Sequence, residues 1–515
     1  MEEEQEESLE TFLKWAIKLG ITDSPSNPLQ SETQIIPPLS SCLGKSLFVS
    51  QFPDAGGRGL AAARDLRKHE LILRVPKSAL MTRESLMLSD QKLSLSIKRY
   101  PHLSSTQILS VCLLAEMGKG RDSWWYPYLM QLPRQYETLT SFTRFETQAL
   151  QVDGAIWTAE RAISKAEMEW REAIPLMQEL ELRPQFLTFR SWLWSSATIS
   201  SRTLHVPRDD AGCLCPVGDL FNYAVPGEES FCSEEVESWT KTCSLQIGSS
   251  WTDRDAKENL DVEQVDEHSQ RLTDAGYEED SDAYCFYARK RYSKGEQVLL
   301  GYGTYTNLEL LEYYGFLLNA NLNDKVFIQL EPDINSNSWP KDSIYIQHDG
   351  KPSFALLSAL RLWATPPNHR KSVGHLVYSG AQLSTENEIS VMRWVRKNCK
   401  ILLEKVPSSI EDDVLLLKFI EEMQDHPSLR EVKKMLLACE AEIDAFFEAT
   451  SSPKSGNVGE LPLSRKARRS IERWKLAVQW RLRYKQILVD CVSYCTEVIN
   501  FLSSQQISSM RTIVT

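Results

Sequence analysis

Residues 295–318 read GEQVLLGYGTYTNLELLEYYGFLL. Three textures meet in this stretch. The alternating QVLL (Gln297–Leu300) is strand-like, the following Gly-Tyr-Gly lets backbone approach closely on both sides of Tyr302, and Thr306 with Glu309 three residues on has capping-box spacing for a helix. Upstream, DAYCFYARKRY (Asp282–Tyr292) is also strand-like, and SKGE (Ser293–Glu296) between the two predicts a hairpin of Tyr284–Arg289 with Gln297–Gly301. Taken by itself, Tyr302 reads either as a structural hairpin tyrosine or as a hydroxyl placed beside an aromatic wall of Tyr314 and Phe316.

Working outward, β texture recurs near the start. SLFVSQF (Ser46–Phe52), a turn in DAGGRG, LAAARDL and then ELILRVP (Glu70–Pro76) suggest a hairpin-built sheet. Between the β-rich regions the texture is helical, from IKRYPHLSSTQILSVCLLAEM to KAEMEWREAIPLMQEL. The aromatic cluster WWYPYL (Trp124–Leu129) reads as a packing anchor. Ahead of everything lies an amphipathic helix over Glu10–Gly20, closed by its glycine, and a Ser/Pro-rich connection over 21–44. From Glu386 onward the spacing is helical throughout, with Ser409 and Ser428 as N-caps. The last helical run, SRKARRSIERWKLAVQWRLRYK, holds nine basic residues and one acidic residue between Arg465 and Lys485. It is either the wet face of a helix whose apolar face is Ile471, Trp474, Ala477, Val478 and Leu482, or a surface for an acidic partner.

The formal charge of −12 is concentrated in one place. Between Gly227 and Ala283 there are 17 acidic and four basic residues, so the rest of the chain sits near +1. That segment reads as a mobile acidic insert, and what remains is too little basic for general nucleic-acid binding. The opening MEEEQEESLE lacks the positive charge of a signal or transit peptide, no apolar run approaches the ~18 residues a membrane span needs, and a cytoplasmic or nuclear protein is expected. Eleven cysteines read as free thiols. Cys213 and Cys215 form a C-x-C pair with Cys232 and Cys243 downstream, but neither a second close pair nor a histidine partner accompanies them, so no metal site is expected. Walker, H-E-x-x-H and G-x-S-x-G motifs are absent, and GGRG (Gly56–Gly59) opens no helix.

The combination is more informative than any member. GRGL, ELILRVP, WSSATISSR (Trp194–Arg202), DLFNYA (Asp219–Ala224) and GEQVLLGYG with NLELLEYYGF occur in the order found in SET-domain methyltransferases. More narrowly, the chain resembles the Rubisco large-subunit methyltransferase-like branch, which includes the actin histidine methyltransferase. The resemblance implies an α+β fold: an N-terminal helix and linker (1–44), a split β-rich SET core (45–80 and 206–325, carrying the insert 227–283), a helical insert (81–205) and an all-α C-terminal substrate-binding domain (326–515). It implies S-adenosylmethionine as methyl donor and a protein as substrate, with lysine favoured over histidine as acceptor. It implies Tyr302 as the catalytic tyrosine, Glu70, Leu71 and Ile72 along the donor's adenosyl end, and Arg202 on its carboxylate. Asp219 to Tyr223 would cross the donor with Asn222 on its amino-acid end, and Tyr314 with Phe316 would close the adenine side. Tyr223 stands where the family usually has histidine, and no C-x-C-x4-C follows Gly315, so the zinc-bearing module of histone-type relatives is not expected. The alternative is a degenerate SET module that binds protein without transferring methyl. A monomer without nucleic-acid or membrane partners is expected.

Overall fold

The computed structural model describes residues 2–24, 41–52, 57–224, 274–332, 334, 339–425, 440–450 and 465–514. Most of the acidic insert, the Ser428 cap, Cys232 and Cys243 lie outside the described residues. Backbone contacts divide the chain into two units, the first of 1–94, 119–132 and 202–303, the second of 95–118, 133–201 and 304–515.

The first unit holds the sheets. Leu47–Phe52 (β1) and Gly57–Ala62 (β2) form an antiparallel hairpin from Leu47 opposite Ala62 to Phe52 opposite Gly57, as the local pattern predicts. Leu71–Pro76 (β3) is the expected third strand. Thr203–Val206 (β4) pairs with Asp209–Leu214 (β5), which leads to the two-residue Asn222–Tyr223 (β6). Ala275–Glu278 (β7), Ala283–Tyr287 (β8) and Gln297–Leu300 (β9) complete the unit. The sheets run β1-β2-β9-β6 and β3-β8-β7.

The predicted hairpin across SKGE does not form, because β8 and β9 lie in different sheets. The turn residues are tied to the end of β2 instead. Leu66 and Tyr292 exchange backbone hydrogen bonds, Gly295 N–H donates to the Ala62 carbonyl at 2.8 Å, and Ala62 N–H donates to the Glu296 carbonyl at 2.9 Å. Lys294 N–H adds a bond to the Asp65 carboxylate at 2.9 Å. Turn propensity gives way here to non-local pairing, which buries Val298 and Leu300 on a different sheet.

The N-terminal helix runs Glu2–Lys18, longer than expected, and ends before Gly20, whose φ of 81° suits a helix terminus. Phe12 and Ala16 are fully buried on it, and Trp15 meets Trp124 and Trp125 edge-on at 5.3 and 5.9 Å, so WWYPYL is an anchor. Cys213 and Cys215 are core residues. Burial pushes the Cys213 thiol up to about 12 and Cys215 well above its usual range.

The second unit is built on helices Asp153–Glu179, Thr385–Lys405, Ile410–Asp425 and Glu440–Thr450, with a short ribbon of Lys325–Phe327 (β10) and Tyr345–Gln347 (β11). The long helix Arg465–Val514 serves two cores. Its Ile471, Trp474, Ala477 and Val478 pack with Phe419, Ile420 and Phe446. Further on, Ile487, Leu488, Cys491 and Cys495 pack with Val391, Val395 and Cys399. Over Arg465–Gln506 this helix is long and apolar enough, by length and composition alone, to cross a membrane, contrary to the expectation from the sequence. Part of its apolar surface packs into these two cores, while Val489 and Phe501 are exposed. Ser409 caps Ile410–Asp425 by accepting from Asp412 N–H at 3.0 Å.

Candidate active site

The site in the first unit starts at the edge of β9. Strand β6 pairs with it in parallel, Asn222 opposite Leu299 and Tyr223 opposite Leu300. Immediately beyond this pair two tyrosines clamp the chain reciprocally. The Tyr302 hydroxyl donates to the Phe221 carbonyl, and the Tyr223 hydroxyl donates to the Gly303 carbonyl at 2.8 Å. Their rings meet edge-on, 5.4 Å between centroids. Gly303 has φ 139°, a backbone conformation that disfavours a side chain, so this sharp exit from the strand favours glycine. Tyr302 is half-buried, with its hydroxyl end inward. Burial pushes its phenol well above the usual tyrosine range; nearby Arg202 pulls it back and Asp219 pushes it further up. Tyr302 is therefore a neutral phenol at physiological pH.

A charged group lies alongside. Asp219, on the Gly218–Leu220 turn, accepts from Tyr128 at 2.9 Å and from Arg202 at 3.2 Å, and Arg202 also donates to the Asp219 carbonyl at 2.9 Å. Arg58 of β2 was not singled out from sequence. It donates to Gln131 through both terminal nitrogens, at 2.8 and 2.7 Å. Burial lowers its pKa, Asp219 offsets this, and Arg202 adds to it. Two guanidinium groups thus share the field of one carboxylate, leaving a positive balance suited to an anionic group such as a carboxylate. The signal for Arg58 was an arginine held between the glycines of GRGL.

Next to Arg58, a β-carbon on Gly59 would lie 2.6 Å from Asn222 Nδ2 and 3.1 Å from Gln297 Nε2. Gln297 Nε2 is buried and has no partner among the described residues. A polar cradle with an orphaned donor, beside a net-positive guanidinium pair, fits the amino-acid end of a methyl donor. Gly59→Ala is expected to push Asn222 aside and cost about 1–3 kcal/mol of stability, because two side chains and the Phe52 ring must yield. Urea unfolding of the variant checks this; a loss of only a few tenths would mean that Asn222 moves freely.

The remaining expected residues are placed as follows. Glu70 is half-buried at the start of β3. Burial alone raises its carboxyl, but the ion pair to Arg64 and the Arg67 amide at 2.8 Å bring it below the usual range, so its side chain is engaged by its own turn. Ile72 is buried and Leu71 half-buried on that strand. Tyr314 and Phe316 belong to the second unit, with ring centroids 6.1 Å apart, and Tyr305 lies 5.4 Å from Tyr314. Thr306 caps Asn307–Tyr313 with the predicted reciprocal box to Glu309. Among the described residues no group of three or more His, Cys, Asp or Glu is arranged to hold a metal.

The SET domain family matches residues 57–303, and the Rubisco LSMT substrate-binding family matches residues 316–488. The chain is 52% identical to Protein SET DOMAIN GROUP 40 of Arabidopsis thaliana over 98% of both chains. It belongs to the SET-domain methyltransferases. Within that family it is also 25% identical to the actin-histidine N-methyltransferase of Xenopus tropicalis, over 75% of this chain and 65% of that one. In fold it matches the solved LSMT SET domain bound to lysine and AdoHcy, with TM-score 0.54 and 17% identity over 97% of this chain and 93% of that one. Rubisco LSMT bound to AdoMet gives TM-score 0.52 at 17% identity, over 96% and 93%. S-adenosylmethionine is the methyl donor that SET methyltransferases use, and the architecture expected from sequence, a split SET core with a helical substrate-binding domain, is the one found.

Proposed function

We propose that this SET-domain methyltransferase modifies a side-chain nitrogen of a non-histone protein, with lysine as the acceptor and Tyr302 as the catalytic residue. Bound S-adenosylmethionine supplies an electrophilic methyl group. Arg202, with Arg58 beside it, holds the donor's carboxylate, Asn222 its amino end, and Glu70 to Ile72 the adenosyl end through backbone. Holding nitrogen, carbon and sulfur in line is most of what such a site contributes, up to ~7–11 kcal/mol through orientation.

The hydrogen bond from Tyr302 to Phe221 carries the choice of acceptor. A carbonyl can only accept, so the phenol proton is committed and any bond the hydroxyl makes to an acceptor amine is one it accepts. The attacking nitrogen of a neutral lysine amine still bears N–H groups to donate to that oxygen. The attacking nitrogen of an imidazole bears none. A phenol that stays neutral also spares the site a negative charge that would favour the protonated, unreactive ammonium. The rate should therefore show no falling limb from Tyr302 ionisation below about pH 10, measured as a single-turnover pH profile.

Incubating the protein with labelled donor and a cell extract, followed by mass spectrometry of the modified residue, tests the proposal. Methyl-lysine is expected. Methyl-histidine would overturn the lysine assignment, and no labelled protein despite donor binding would overturn the enzyme. Tyr223→Phe is expected to remove the latch on Gly303 and lower kcat about tenfold, with donor affinity within about twofold of wild type. A changed donor affinity at constant kcat, read by calorimetry and initial rates, would place Tyr223 on the donor instead.

A further inference from the structure

The second unit contains a concave pocket that the proposed reaction does not use. Three stretches line it: the segment from Arg134 to Glu137, Arg190 and Trp194 on the Phe189–Arg202 helix, and Arg469 with Arg473 near the head of the Arg465–Val514 helix. Its volume is about 180 Å³, below the roughly 300–1,000 Å³ of sites for drug-sized ligands, so it suits a side-chain group better than a nucleotide.

The charge of the lining is one-sided, four guanidinium groups against one carboxylate. The deep part is paired internally. Arg473, 9% exposed, divides its donors between Glu137 at 3.1 Å and Glu146 at 3.2 Å. Its Nε and the Glu137 Oε1 have no hydrogen-bond partner among the described residues. Burial pushes the Glu137 carboxyl up, while Arg473 and Arg469 pull it down and Glu472 opposes them. The outer part is not paired. Arg134 and Arg190 are exposed and Arg469 half-buried; among the described residues their guanidinium groups make no hydrogen bond and no ion pair within 4 Å, and Glu137 attracts Arg469 at longer range. Trp194 braces the Arg134 segment, its indole donating to the Pro133 carbonyl at 2.8 Å. Three guanidinium groups held around one opening repel one another until an anion fills it, and the planar fork of arginine suits carboxylate and phosphate oxygens.

The basic run that suggested an acidic partner is thereby resolved into parts. Arg473, Lys475, Arg481 and Lys485 pair internally with acidic residues of the second unit, while Lys466 donates to the Ala449 carbonyl and Arg483 to the His348 carbonyl, each at 3.1 Å. Arg465 and Arg468 are exposed and lie outside the pocket lining, which leaves Arg469 as the member of the run at its opening.

We infer that this pocket receives an oxyanion-bearing side chain of the protein substrate, a glutamate, aspartate or phosphorylated residue. The word substrate rests on the methyltransferase proposal, whereas the binding does not. The test uses the full chain and fluorescence polarisation with three labelled probes: a hexaglutamate peptide, a phosphoserine peptide of equal charge, and an oligothymidylate of equal charge, at about 50 and about 200 mM salt. Arg134→Gln/Arg190→Gln/Arg469→Gln is expected to weaken peptide binding about tenfold or more, and Arg465→Gln/Arg468→Gln by no more than about twofold. Whichever peptide binds more tightly identifies the preferred oxyanion, and either one supports the pocket. Equal losses in the two variants, no peptide binding by wild type at the lower salt, or oligothymidylate bound as tightly as the peptides would each overturn it. Thermal shift with S-adenosylmethionine on the same preparations separates the two proposals. Donor binding without peptide binding refutes the pocket alone, and peptide binding without donor binding refutes the methyltransferase alone.

Discussion

Tyr302→Phe is expected to lower kcat by about 10²–10³ at saturating donor while leaving S-adenosylmethionine affinity within about twofold of wild type. The substitution keeps the ring, and with it the 5.4 Å edge contact to Tyr223. It removes only the hydroxyl, whose proton goes to the Phe221 carbonyl and whose lone pairs would orient the acceptor amine. The hydrogen bond lost to the Phe221 carbonyl in this half-buried place costs about 1 kcal/mol. A cost that small leaves the protein folded, so the loss of rate can be read apart from stability. Single-turnover methylation, calorimetry with the donor and thermal melting together decide the matter. An unchanged rate would remove Tyr302 from the reaction. A parallel loss of donor affinity would make it a structural support for the β6–β9 junction.

Local chemistry was legible in the sequence wherever neighbours in the chain are neighbours in space. The β1–β2 hairpin, the Thr306–Glu309 box and the Ser409 cap all depend on residues a few positions apart. The clamp at Tyr302 is different. It depends on β6 lying parallel to β9, and a parallel pair has no turn to announce it. For the same reason the SKGE hairpin was misread: its turn residues are satisfied by Ala62 and Asp65, far away in sequence. Arg58 escaped notice because its significance lies in Arg202 and Asp219 across the fold. The basic run over Arg465–Lys485 illustrates the same limit with charge. Periodicity located its apolar face, but not which cations would be drawn inward, since that depends on acidic residues contributed by other elements of the second unit.

Asp413→Ala is expected to destabilise the second unit by about 3–5 kcal/mol, the cost of stranding buried cations. Asp413 and Arg481 are fully buried and Lys485 is 2% exposed. The carboxylate lies 2.8 Å from Arg481 and 2.5 Å from Lys485, and accepts from the Ser408 hydroxyl at 2.7 Å. Without it, Arg481 keeps Glu442 at 3.0 Å, and among the described residues Lys485 keeps hydrogen bonds to the oxygens of Ser408 and Ser409 and the longer-range attraction of Asp412. Burial already lowers the pKa of Lys485, with Asp413 opposing that shift, so removing Asp413 lowers it further. A lysine with a depressed folded pKa binds fewer protons folded than unfolded. Stability therefore rises as pH climbs from the folded pKa towards the unfolded value of about 10.4. The deficit of the variant should accordingly shrink as the pH is raised through that window, which a simple cavity would not do. Urea unfolding of wild type and variant at several pH values across that window measures the deficit. Asp413→Leu/Lys485→Met removes both charges at once and should recover much of the loss, because an apolar pair needs no counter-ion. A single-variant loss below about 1 kcal/mol, or one independent of pH, would show that water reaches this junction and that the ion pairs are not what closes it.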